Sequence, residues 1–73
     1  MRVGMLWLDT DRSRSLNEKV KLAAEYYEEK YGRMPDLCLV NNGAIKYEEK
    51  AGPVKIEAAR TVLPNHFWLG MAS

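Results

Sequence analysis

Residues 15–32 read SLNEKVKLAAEYYEEKYG, and this stretch decides the fold. Ser15-Leu16-Asn17-Glu18 is a capping box: the Ser15 hydroxyl and the Glu18 carboxylate each satisfy a backbone N–H that the first helical turn would leave unpaired. The spacing predicts a helix from Leu16 to about Tyr31. Leu16, Val20, Ala23, Tyr27 and Tyr31 recur at three- and four-residue steps, with Ala24 beside them, and make one apolar stripe. Asn17, Lys21, Glu25 and Glu28 face water, and Lys21 and Glu25 form a weak pair. Gly32 supplies a left-handed C-cap, and Pro35 forbids continuation.

Working outward, Val3 to Leu8 is a strand with Val3, Met5 and Trp7 on one face and Gly4, Leu6 and Leu8 on the other. Apolar residues on both faces predict an interior strand with both sides covered. After the helix, Leu37-Cys38-Leu39-Val40 is a second strand of the same kind, so the chain opens as a β-α-β unit. Asn41-Asn42-Gly43 is a turn. Residues 44–51 fit a short helix through Tyr47-Glu48-Glu49-Lys50 or a strand through Ile45 and Tyr47, and Gly52-Pro53 ends either. Val54-Lys55-Ile56-Glu57 alternates as a strand with one wet face. Thr61-Val62-Leu63 and Phe67-Trp68-Leu69 are read as two further short strands, bent or broken at Pro64-Asn65. The expected architecture is α+β: the β-α-β unit, a short antiparallel extension, and one main helix packed on a small sheet.

A length of 73 residues holds one domain, 1–73, with a thin core. Such chains lean on disulfides, metals or self-association. Cys38 is the sole cysteine and His66 the sole histidine, which excludes an internal disulfide and the usual structural zinc sets. Self-association remains. With 11 basic and 10 acidic side chains there is no global field to draw nucleic acid or anionic lipid. The apolar runs are far too short to cross a bilayer, and Asp9-Thr10-Asp11 interrupts any signal-peptide core, so a cytoplasmic setting and no membrane partner are expected.

Three stretches carry a resemblance. Gly4-Met5-Leu6-Trp7-Leu8-Asp9, then Tyr26-Tyr27 to Pro35 with Cys38, then Leu63-Pro64-Asn65-His66-Phe67-Trp68-Leu69-Gly70 together resemble small uncharacterised bacterial proteins with that order of elements. The resemblance implies no activity, so it carries over no catalytic or binding residue. Separately, Asp9-Thr10-Asp11 after an apolar strand looks like the D-x-D of haloacid-dehalogenase-type phosphotransferases. There the first carboxylate attacks phosphorus, the second handles the leaving-group proton, and the pair holds magnesium. The lysine and second acidic pair of that chemistry have no room here. The plainer reading is a turn whose acids favour the coming helix N-terminus.

Other combinations are weaker. Cys38 and His66 would make a thiolate–imidazole pair only if their strands were neighbours, and apolar surroundings make Cys38 an inert small hydrophobe. Asp9, Asp11 and His66 are a conceivable metal set that no spacing demands. Arg12, Arg14 and Lys19, continued by Lys21, gather at the helix start, where phosphate is attracted, yet Asp9, Asp11, Glu18 and Glu25 dilute the patch. The surplus of aromatic and methionine side chains weighs more: 2 Trp, 4 Tyr and 4 Met exceed what so thin a core buries. Trp7, Trp68 and Phe67 are therefore the interface candidates. The sequence favours a non-enzymatic interaction module without a cofactor, a homodimer or partner of another protein. A nucleic-acid-binding protein using Arg12, Arg14 and Lys19 is the alternative, and metal-assisted phosphoryl chemistry on Asp9 and Asp11 follows it.

Overall fold

A computed structural model of the chain describes residues 4–47 and 49–72. Val3 and Glu48, used above in the first strand and in the ambiguous segment, lie outside the described residues. The elements follow in the order β1 (Gly4–Leu8), α1 (Leu16–Tyr31), β2 (Leu37–Asn41), β3 (Glu49–Ala51), β4 (Val54–Ala59) and β5 (His66–Gly70). One helix packs on a five-stranded mixed sheet, which is the small α+β fold expected.

The helix forms where its local chemistry dictates. The Ser15 side chain accepts from the Glu18 N–H while Glu18 accepts from the Ser15 N–H at 2.8 Å, closing the capping box. At the other end Gly32 takes φ 80°, a conformation open to glycine, and its N–H reaches the Glu28 carbonyl at 2.7 Å. Val20, Ala23, Ala24 and Tyr27 are buried and press on Met5, Cys38, Val40, Val54, Ile56, Phe67 and Leu69. The small Ala23 and Ala24 let the helix sit close to the sheet.

The strand order is β1-β5-β2-β4-β3. The last strand inserts between the two strands of the opening β-α-β unit and runs antiparallel to both. β2 and β4 are parallel, and β3 closes a hairpin on β4 through Gly52-Pro53, with Gly52 at φ 61° as mirror-image hairpin turns require.

Two expectations need correction and one open alternative is resolved. The first strand is an edge, not an interior strand, because β5 flanks it on one side and no described strand flanks it on the other. Of the ambiguous segment, Glu49–Ala51 is strand. Thr61-Val62-Leu63 is not a strand: it lies in the loop between β4 and β5, held by the Val62 N–H on the Ala59 carbonyl and by Asn41 Nδ2 on the Val62 carbonyl at 2.9 Å. That loop ends in a turn in which the His66 N–H meets the Leu63 carbonyl at 3.1 Å, with Pro64 and left-handed Asn65 (φ 64°) at its centre.

Candidate functional site

The helix covers one face of the sheet and leaves the other open. Strand alternation assigns the side chains: Met5, Trp7, Cys38, Val40, Ile56, Phe67 and Leu69 point to the helix, and their neighbours point away. Register then lines up the open face in rows. Leu6 faces Trp68, Trp68 faces Leu39, and Leu39 faces Glu57. A second row runs from Gly4 through Gly70 and Leu37 to Lys55. The β1–β5–β2 half of this face is apolar and the β4–β3 half is charged.

Trp68 is the centre of the apolar half. Its indole fills the space above Gly4 and Gly70, where a Cβ on either residue would overlap the ring. Around it Leu6, Leu39, Thr61, Val62, Leu63 and His66 line a groove of about 340 Å³. The Asn41–Val62 hydrogen bond holds the loop that forms one wall. Leu6 is 64% exposed and Leu63 65% at the groove, and Leu8, further along β1, is 58% exposed. A more open hollow of about 480 Å³ lies beside Met5, Leu6, Trp7, Tyr26, Glu29 and Lys30. Leu6 belongs to both hollows.

The three aromatic candidates separate. Trp68 alone stands on the open face. Phe67 is 3% exposed and lies in the core beneath the helix. Trp7 also points to the helix side, where its ring stacks on Tyr26 with centroids 4.6 Å apart, and its Nε1 is buried without a partner among the described residues. Leu6, Leu8 and Leu63 were not singled out from the sequence, and only the face and edge assignments reveal them. The signal that was present is the pair of glycines, Gly4 and Gly70, at the ends of paired strands, a pattern that fits close approach of another group.

The acidic turn is occupied by its own arginine. Asp9 is 7% exposed, and its Oδ1 accepts the Asp11 N–H at 2.9 Å. Asp11 Oδ1 accepts from the Ser13 N–H at 2.8 Å and the Ser13 hydroxyl at 2.6 Å. Arg14 Nη1 then lies 3.4 Å from Asp9 and 3.1 Å from Asp11. The hydrogen bonds from Ser13, its hydroxyl first, hold the Asp11 carboxyl below its ordinary range, and Arg14 and Lys19 add to this. His66 turns Nδ1 to the Pro64 carbonyl at 2.9 Å. Among the described residues no three His, Cys, Asp or Glu side chains are close enough to hold a metal ion. Of the basic cluster, Arg14 is spent on the two aspartates, while Arg12 is exposed and Lys19 half-buried.

Cys38 and His66 are not brought together. Cys38 points into the helix-side core and His66 lies on the open-face side of β5. Burial pushes the Cys38 thiol up to about 12, far from thiolate reactivity at neutral pH. Among the described residues no helix is long and apolar enough to cross a membrane. Neither the family models, the curated proteins nor the solved structures offer a match to this chain.

Proposed function

We propose that this chain is a small non-enzymatic interaction module that acts as a homodimer, burying the apolar half of its open sheet face. The observation that carries the reading is the exposure of Leu6 and Leu63 beside Trp68, and of Leu8 further along β1, on a face that no described helix covers. Contiguous apolar patches rimmed by polar groups mark association sites on soluble proteins. Here the charged half of the face, with Lys50, Lys55 and Glu57, provides that rim.

The magnitudes favour a reversible dimer. Fully burying a leucine yields about 1.5–3 kcal/mol, so covering the exposed part of Leu6 and Leu8 in both copies yields about 4–7 kcal/mol in sum. That is comparable with the whole stability of a domain this size. Association itself costs at least about 4 kcal/mol in lost translation and rotation, so the net affinity is modest.

Sedimentation across the micromolar range tests the reading. The wild-type chain is expected to pass from monomer to dimer, with a melting temperature that rises with concentration. The Leu6→Gln, Leu8→Gln double variant is expected to stay monomeric while melting close to the dilute wild type, because both side chains are already exposed in one copy. A wild type that sediments as a compact monomer throughout, or a double variant that associates as the wild type does, removes the reading.

A further inference from the structure

The two edges of the sheet are treated differently by the sequence. β3, at one edge, is three residues long and carries exposed Glu49 and Lys50. Short length and charge are the ordinary protections of a strand edge against pairing with another chain. β1, at the other edge, reads Gly-Met-Leu-Trp-Leu, with no charge, no proline and no bulge.

Its free backbone groups can be assigned. The Asp9 N–H donates to the Asn65 carbonyl at 3.0 Å, continuing the β1–β5 register by one residue. In an antiparallel ladder, hydrogen-bonded positions alternate. Met5, Trp7 and Asp9 therefore direct their N–H and C=O groups toward β5, and Gly4, Leu6 and Leu8 direct theirs outward. The Tyr31 hydroxyl, at the end of the helix, meets the Gly4 carbonyl at 3.4 Å. That leaves the Gly4 N–H and the N–H and C=O of Leu6 and of Leu8, to which nothing among the described residues bonds.

We infer that a second copy of this chain pairs its β1 antiparallel with β1, placing Leu6 opposite Leu8 of the partner about a twofold axis through Trp7. The inference rests on the homodimer reading and adds a strand and register, which bury the Leu6–Leu8 margin of the apolar half. The register is the one in which the free groups of Leu6 and Leu8 satisfy each other completely while the Tyr31 contact on Gly4 is kept. Opposite Leu6 and Leu8 side chains then cover each other on the open face, beside Trp68. On the helix side the two Trp7 residues meet as a non-hydrogen-bonded pair, where Cα atoms approach to about 4.5 Å and side chains lie close. The Trp7–Tyr26 stack is thereby prolonged across the axis. A second copy fits better than an unrelated segment because the same two leucines supply both the polar groups and the apolar cover, as a twofold interface demands. The shared edge is only about 17 Å long for a five-residue strand. The area buried sits at the low end for specific association, which makes the pairing reversible at micromolar concentrations.

Disulfide trapping tests the register, and Leu6 and Leu8 are exposed enough to accept cysteine without loss of the fold. Native Cys38 stays buried and out of reach. In the inferred register a Leu6→Cys chain and a Leu8→Cys chain face each other about 5.5 Å apart at Cα, within disulfide reach, while like positions lie about 7–8 Å apart on the diagonal. Mild oxidation of the mixed proteins is expected to give linked dimer on the order of tenfold faster than either protein alone, the lead set by that spacing. A dimer in sedimentation that links no faster in the mixture than in the separate proteins overturns the register and leaves the homodimer reading standing. A chain that remains monomeric, including one that binds only foreign extended segments, overturns both.

Discussion

The indole of Trp68 lies over Gly4 of the neighbouring strand and takes the space that any side chain there would need. Gly70, paired with Gly4, is kept bare by the same ring. Two glycines at strand ends, first in β1 and last in β5, forgo side-chain packing and backbone stability. The arrangement lets a large aromatic ring lie close on the backbone of an otherwise open face, and it places that ring beside the Leu6–Leu8 margin of the proposed interface.

That relationship predicts an overpacking penalty. Gly70→Ala should push the indole off the strand and cost about 1–3 kcal/mol, the usual range for a forced fit. Combining it with Trp68→Leu, which withdraws the ring, should recover part of the loss. Chemical denaturation of the single and double variants measures this coupling. Additive effects in the double variant would mean that the ring is not what excludes the methyl group.

Arg14 bridges Asp9 and Asp11, so the turn already holds the cation its carboxylates need. Magnesium, manganese or zinc in modest excess should leave the melting temperature unchanged. Arg14→Ala should cost about 1–2 kcal/mol, since the Asp9 carboxylate loses a partner while it stays buried. A clear rise in melting temperature with a divalent ion, absent in Asp9→Asn, would show that a metal displaces Arg14.

Carboxylates at the helix start also set a pH dependence. The Ser15 N–H, followed by the Ser15 hydroxyl, holds Glu18 below its ordinary range, and Ser13 does the same for Asp11. Groups with a depressed folded pKa contribute stability above the unfolded value and lose it as pH falls through the folded one. Melting temperature should therefore be level above about pH 5 and drop below about pH 4, where free carboxylates protonate. Glu18→Gln keeps an acceptor for the Ser15 N–H but cannot titrate, so its acid-side drop should be shallower. An identical acid profile in the variant would remove Glu18 from the account.

The helix was fully legible because its causes are local: Ser15, Glu18 and Gly32 act within a few residues of where they stand. The sheet was legible strand by strand but not as an order. Placing β5 between β1 and β2 depends on pairing His66–Gly70 with residues far along the chain, and neither strand's composition encodes which neighbour it takes. Leu6 and Leu8 misled for a physical reason. Apolar residues on both faces of β1 are what a buried strand needs, and also what an edge strand that awaits a second copy would carry. Thr61-Val62-Leu63 has β-branched character, but Val62 is buried through a loop that Asn41 holds by its side chain. Sequence periodicity does not register such a contact.

Cys38 offers a probe of how the thin core opens. It sits on the central strand β2 between Ile56 and Leu69, against the helix, and its thiol is pushed up to about 12 by burial alone. A thiol reagent at neutral pH needs both access and thiolate, and the folded chain supplies neither. Labelling should therefore proceed only through opening of the helix from the sheet, at a rate set by the open fraction. If the homodimer reading holds, the open fraction falls as protein concentration rises, because association stabilises the folded form. The labelling rate constant should then decrease with concentration in the wild type and stay flat in the Leu6→Gln, Leu8→Gln variant. Rapid labelling of the native chain, near the rate of the unfolded one, would mean that the helix does not seal β2 and that the core is looser than its packing indicates.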